Sequence, residues 1–338
     1  MIQMAPGAAW PEWLEKLWWR EAWLTMEAAE PAILPPYLGS TIRGALGHLL
    51  RAGLCDGSGC GHDCQRPGAC RYHSLFEGNS AGAKPFILLS PPPPALEEIA
   101  LGGPVNLPFQ TGQPRRGETI PTLRCDAGWK FDAGARVDFG LRLIGTASSA
   151  LPAIIAAVGQ CGLSLGGARF RLHSCRDDSG QLLFDCRLPK VPVQPVAPRT
   201  LMIEEQPARR VRVVFLSPTV FKLDRAPTFS PEDFARRFFE HSLGRAVGMY
   251  STCWADRLPW VEPPVAHVEL VGHRLFHYDL PRHSFRQDKW LDFDGVVGYI
   301  DLEGEIGPLL AWGRAAEVFH FGQKAAFGLG KVRLLVLA

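Results

Sequence analysis

Long apolar runs are missing from this chain. None of its 338 residues lies in a stretch approaching the ~20 consecutive apolar positions that a membrane-spanning helix needs. In the N-terminal MIQMAPGAAWPEWLEKLWWREAW, the charges of Glu12, Glu15, Lys16, Arg20 and Glu21 interrupt the apolar residues, which argues against a signal peptide. A cytoplasmic protein with no membrane partner is the expectation. A charge excess is missing too: 36 Lys and Arg face 34 Asp and Glu, for a net charge of +2. No global field advertises a polyanion partner, so any nucleic-acid surface must be local. The cysteines lack the pattern of a disulfide framework, being nine in number with four crowded into one loop. The glycines lack the order of a dinucleotide fingerprint, which needs a strand, then G-x-G-x-x-G, then a helix; here glycines follow a helix and precede a strand.

What is present suits two domains. The segment RLPKVPVQPVAPRTLMIEEQPARR is rich in Pro and reads as a linker. It divides residues 1–190 from residues 210–338, with 191–209 between. In the second part, RVRVVFLSPT reads as a strand, and FSPEDFARRFFEHSLGRAV as a helix capped by Ser230, with Phe234, Phe238 and Leu243 on its buried stripe. VAHVELVGHRLFHYDL and GVVGYIDLEG follow as strands, GPLLAWGRAAEVFHFG as a helix and KVRLLVL as the last strand. That order, β-α-β-β-α-β, is a ferredoxin-like unit. The first part echoes it through KLWWREAWLTMEA, YLGSTIRGALGHLLRAG (spaced by Ile42, Leu46 and Leu49), ARVDFGLRLIG, SSALPAIIAAVGQ and CGLSLGGARFRLHSC. An insertion rich in Pro and Gly, about 78 to 120, blurs its middle strands. The fold class expected is α+β, two tandem ferredoxin-like domains.

Near the C-terminus, Gly322, Gly328 and Gly330 are threaded among Lys324, Lys331 and Arg333. Successive amides without Cβ atoms beside cations read as a phosphate nest; a glycine C-cap followed by a turn is the structural alternative. The succession RHSFRQDKW, GVVGYIDLEG, PLLAWGRAAEVFHFGQKAAFGLGKVRL closely resembles the C-terminal half of the CRISPR precursor-RNA processing endoribonucleases, the sixth Cas family of the RAMP superfamily. FLSPTVFKLDRAPTFSPEDFARRF, FGLRLIGTASSALPAIIAAV and PYLGSTIRGALGHLLRAGLC extend the resemblance over most of the chain. It implies tandem ferredoxin-like (RRM-like, RAMP) domains. It also implies metal-independent cleavage of CRISPR repeat RNA, in which the ribose 2′-hydroxyl attacks the adjacent phosphate to leave a 2′,3′-cyclic phosphate. The partners implied are precursor and mature CRISPR RNA and other Cas effector-complex subunits, with no cofactor for catalysis. The rival is a RAMP subunit that holds the repeat-derived end of a guide without cutting. A third reading is an RNA-binding scaffold assembling through its tryptophans, although tryptophans alternating along a strand are more often core.

The reaction needs proton transfer and a cation for the charge on the phosphorane. The resemblance points to His48, on the first helix, as the catalytic histidine, and to Tyr37 as a residue orienting the sugar or aiding proton transfer. Helical spacing puts Gly44, Gly47, His48 and Arg51 on one face, where Arg51 can stabilise an oxyanion but not donate a proton at neutral pH. His320 and His283 are the reserve candidates. RNA contacts are expected from Arg43, from Arg282, Ser284, Arg286, Gln287 and Lys289, and from His320, Lys324, Gly328, Gly330 and Lys331. Alone, the 282–289 run would read as a solvated strand end. In LCDGSGCGHDCQRPGACRYHSLFEG, Cys55, Cys60, Cys64 and Cys70 do not form the double C-x-x-C of strong zinc sites, but four thiols in a Gly-rich loop need something to order them. A structural zinc held by these four, with His62 or His73 as substitutes, is expected in a loop at 54–78 inserted in the first domain. Cys125, Cys161, Cys175, Cys186 and Cys253 read as packing residues.

Overall fold

The computed structural model describes residues 11–54, 64, 70, 72–77, 83–93, 95–125, 127–188, 193–203, 206–223, 226–254, 267–284 and 289–337. In chain order the elements that place the site begin with β1 (Trp18–Ala28), α1 (Gly39–Leu54), β2 (Phe86–Leu89), α2 (Leu96–Ala100), β3 (Phe109–Gly112) and β4 (Thr122–Cys125). Next come β5 (Arg136–Ile144), α3 (Leu151–Cys161), β6 (Leu163–Leu165), β7 (Ala168–Asp177) and β8 (Leu182–Asp185). The second half holds β9 (Arg210–Thr219), α4 (Pro231–Trp254), β10 (Val268–Tyr278), β11 (Pro281–Ser284), β12 (Lys289–Asp292), β13 (Gly295–Gly304), α5 (Leu310–Phe319) and β14 (Val332–Val336). Among the described residues no helix is long and apolar enough to cross a membrane.

The first sheet runs β8-β7-β1-β5-β2 and the second β14-β9-β13-β10-β4-β3. Setting aside the additions at the edges, each is a β-α-β-β-α-β unit whose fourth strand lies beside its first, as the repeat in the sequence predicts. Alternation explains β1, where Ala22, Leu24 and Met26 point into the core and pair antiparallel with Leu141, Phe139 and Val137 of β5. On α1, Ile42, Leu46 and Leu50 are fully buried. Each contributes about 1.5–3 kcal/mol of apolar burial. Leu50 takes the place predicted for Leu49, because the stripe continues at a spacing of four. The N-terminus of α4 is capped as predicted, the Asp233 amide donating to Ser230 Oγ at 3.3 Å.

Two features depart from the sequence reading. GLSLGG is a tight hairpin between β6 and β7, with Gly166 and Gly167 at φ +59° and +93°, so its likeness to the C-terminal loop is only in composition. The Pro- and Gly-rich insertion does not stay with the first domain. Its strands β3 and β4 extend the second sheet, β4 pairing parallel to β10 through His277 with Thr122 and Tyr278 with Leu123. Trp13, Leu14, Leu17 and Trp19 likewise join the core around α4 and α5, with Trp13 6.2 Å from Trp312 and Trp19 6.2 Å from Phe319. Tryptophan here welds the halves together.

Candidate functional site

The two domains meet at Phe327. Helix α1 starts at Gly39 because nothing larger fits: a Cβ there would lie 2.0 Å from Phe327 O and 2.6 Å from the Tyr37 ring. Tyr37, only 3% exposed, donates its hydroxyl to the same carbonyl at 2.9 Å. Burial, then the neighbouring Tyr278, pushes the Tyr37 phenol well above its ordinary pKa. This corrects its expected catalytic role, since a buried neutral phenol committed to a backbone carbonyl does not face a ribose.

One turn into α1, the Arg43 guanidinium lies 4.6 Å from the Phe327 ring centroid and 5.3 Å from that of Phe76, and donates to Phe76 O at 3.2 Å. Phe293 meets Phe327 edge to face at 5.0 Å, and Lys324 Nζ lies 4.4 Å from the Phe293 centroid. The result is a row, Arg43–Phe327–Phe293–Lys324, drawn from both domains. Arg43 and Lys324 are both half-buried, so each gains between the about 0.5–1 kcal/mol of an exposed cation on an aromatic face and the about 2 kcal/mol of a desolvated one. Lys84 adds charge nearby; burial, then Arg43, lowers its pKa, while Glu77 opposes them. Lys84, Phe293 and Phe327 were missed in the sequence because they sit where no periodic pattern marks a face.

Further along α1, His48 and Arg51 are exposed, and the space beside Gly44 is open. Gly47 is instead buried, its side facing the Tyr72 hydroxyl. At about 100° per residue, Arg43, Arg51, Gly44 and His48 occupy an arc of about 140°. The expected base and cation therefore share one accessible helix face.

The glycine loop does not form the expected nest. The amides of Phe327, Gly328, Gly330 and Lys331 donate to Lys324 O, Ala325 O, Pro218 O and Ser217 Oγ at 2.8–3.0 Å. Gly328 and Gly330 are buried at φ +83° and +75°, and a Cβ on Gly330 would fall 1.9 Å from Phe321 O. These glycines serve close packing of the chain on itself. His320 is corrected as well. It is 1% exposed and its Nδ1–H donates to Leu329 O at 2.9 Å. Burial, then the Arg142 charge, holds its pKa well below the ordinary value. It cannot reach RNA. Lys331 is partly buried, which lowers its pKa.

Arg282 and Ser284 lie on β11 and Lys289 on β12, with Ser284 paired to Lys289, whereas Arg286 and Gln287 lie outside the described residues. The stem of this hairpin adjoins Phe293, and so the aromatic row. His283 lies on β11 too.

Cys55, Cys60 and His62 also lie outside the described residues. Among the described residues no group of three or more potential ligands gathers. Cys70 is buried and accepts the His73 amide at Sγ, 3.4 Å away, while His73 Nδ1 is buried without a hydrogen-bond partner. Cys175 and Cys253 are packing residues whose thiols burial pushes up to about 12. Cys161 and Cys186 are exposed, contrary to expectation.

Comparison with known proteins bears on both halves. Residues 213–332 match the family model of the CRISPR-associated endoribonuclease Cas6, and residues 17–185 match an N-terminal domain model, AF_1859_N. No curated protein matches the chain. Among solved structures, a Cas6 product complex is similar at 17% identity and a TM-score of 0.49, covering 94% of this chain and 99% of that one. Another Cas6 product complex has 18% identity and a TM-score of 0.45 over 94% and 99%. A Cas6-related protein from Pyrococcus furiosus has 11% identity and a TM-score of 0.44 over 94% and 98%. The family models carry the comparison: half of the chain, residues 17–185, has the AF_1859_N N-terminal domain, and residues 213–332 match the CRISPR-associated endoribonuclease Cas6 family.

Proposed function

We propose that the protein is a metal-independent endoribonuclease that binds CRISPR repeat RNA and cuts the precursor transcript into guides. The observation that carries this reading is the convergence at Phe327. There the first helix of one domain, bearing exposed His48 and Arg51, meets the cation–aromatic row and hairpin stem of the other. Aromatic faces beside guanidinium and ammonium groups suit unpaired bases and their phosphates.

On this reading His48 takes the proton from the ribose 2′-hydroxyl or delivers one to the leaving 5′-oxygen. The 2′-oxygen bonds to phosphorus, the bond to the 5′-oxygen breaks, and the products are a 2′,3′-cyclic phosphate and a 5′-hydroxyl. Arg51 offsets charge on the phosphorane. Protein groups supply both proton transfer and charge, so no metal is assigned to the chemistry. Arg43 and Lys324, with Arg282, Ser284, Arg286, Gln287 and Lys289, hold the RNA. Guide RNA and Cas effector subunits are the partners of the product state.

The Cys-rich loop would hold a structural zinc through Cys55, Cys60, Cys64 and Cys70, with His73 as a substitute. The amide donated to Cys70 Sγ and the unpartnered His73 nitrogen support that fit. The zinc would order the loop following α1.

Incubating repeat RNA with the protein in EDTA and mapping the product ends tests the reading. Binding without cleavage would make the chain a guide-holding RAMP subunit instead.

A further inference from the structure

We propose that Arg115, from the insertion in the first half of the chain, is a positioning residue that sets the β11–β12 hairpin for RNA binding. The inference rests on the proposed RNA-binding role of that hairpin. Two four-residue strands are too short to hold an orientation alone, so the angle of the hairpin is decided at its stem. Asp279 precedes β11 and Asp294 follows β12, and the Arg115 fork bridges them: Nη2 to Asp279 Oδ1 at 2.9 Å, Nη1 to Asp294 Oδ2 at 2.7 Å. A single guanidinium thus ties the entering strand to the leaving one.

The rest of the stem reinforces the tie. Asp294 Oδ1 accepts the Leu280 amide at 2.8 Å, and Arg124 Nε reaches Asp279 Oδ2 at 2.9 Å. Beneath them His277, fully buried, lies between Glu118 at 2.6 Å from Nδ1 and Asp294 at 3.1 Å from Nε2, with Phe229 stacked 4.3 Å away. Arg115, Glu118 and Arg124 all come from the segment that carries β3 and β4 out of the first half and onto the second sheet. The insertion is therefore a strap, and through it the first half controls the hairpin of the second. Asp294 is 4% exposed in its side chain, so its carboxylate is held by the protein rather than by water. Lysine would not substitute, because a point charge cannot span two carboxylates as a planar fork does.

Hydrogen exchange and RNA binding separate the outcomes. In Arg115→Ala, and again in the milder Arg115→Lys, the amides of 282–284 and 289–292 should exchange faster while those of β1, β5 and β9 keep their protection. Repeat-RNA affinity should fall about tenfold in Arg115→Ala, with the salt slope reduced by about 1 for each phosphate that the hairpin ceases to neutralise. Adding Arg282→Ala and Lys289→Ala to Arg115→Ala should cost less than adding them to the wild type. Unchanged exchange in the hairpin of both Arg115 variants overturns the positioning role, whatever the RNA result. Additive affinity losses overturn it as well. If the wild type binds no RNA while hairpin exchange responds to Arg115, the RNA reading fails and the clamp remains as architecture alone.

Discussion

The Tyr37 hydroxyl and the Phe327 carbonyl, 290 residues apart in sequence, are joined by a 2.9 Å hydrogen bond that closes the seam between the two halves. Tyr37→Phe removes the donor and leaves a partly buried acceptor, at a cost of about 1 kcal/mol. Denaturant titration should show that loss. Single-turnover cleavage under conditions where the variant is folded should match the wild type; a rate loss of about a hundredfold, the low end of what a proton-transfer group supplies, would return Tyr37 to the chemistry.

Gly330 separates packing from phosphate binding. Alanine at this φ costs about 1–2 kcal/mol for the left-handed conformation alone, and its Cβ would press on Phe321 O. Gly330→Ala should lower the melting temperature, and RNA affinity should fall only as far as the folded fraction falls. Weakened binding at full stability would restore the nest.

His48→Ala should slow cleavage by about 10²–10⁴, the usual worth of general acid–base catalysis. Repeat RNA should still bind, as a gel-shift assay would read, because Arg43 and Lys324 are untouched.

Stability should depend on pH through His277. Burial lowers its pKa, but hydrogen bonds to Asp294 and Glu118, with the charge of Glu118, raise it overall despite Arg115. A raised histidine stabilises fully below its unfolded value, about 6.5, and loses that contribution as pH rises through the higher folded value. Denaturant midpoints should fall across that range, and His277→Gln should flatten the slope. An equal slope in the variant would mean the imidazolium is not there.

Zinc analysis of protein purified without chelator should return about one ion per chain. Its removal should lower stability while leaving cleavage in EDTA intact at temperatures where the chain stays folded. A metal-free protein of equal stability would leave the loop without an ion.

Much of the fold is legible in the sequence. The repeated β-α-β-β-α-β order follows from strand and helix periodicities, because each element must bury one face; Ser230, Phe234 and Phe238 occupy their predicted places for that reason. Helical spacing likewise sets His48 and Arg51 apart from the buried Ile42 and Leu46, and both are exposed, whereas Gly47 is buried. Glycine was ambiguous. Gly328 and Gly330 look alike in sequence whether they approach a ligand or their own chain, and only the acceptors that their amides reach tell the two apart.

The sequence by itself determined the local periodicities, the caps and the duplication, since these depend on neighbours within a few residues. Tertiary structure alone decided that Tyr37 and His320 are buried, that Phe327 and Phe293 complete a row with Arg43 and Lys324, and that the insertion crosses to the other sheet. Those facts depend on pairings between residues far apart along the chain, which no local pattern encodes.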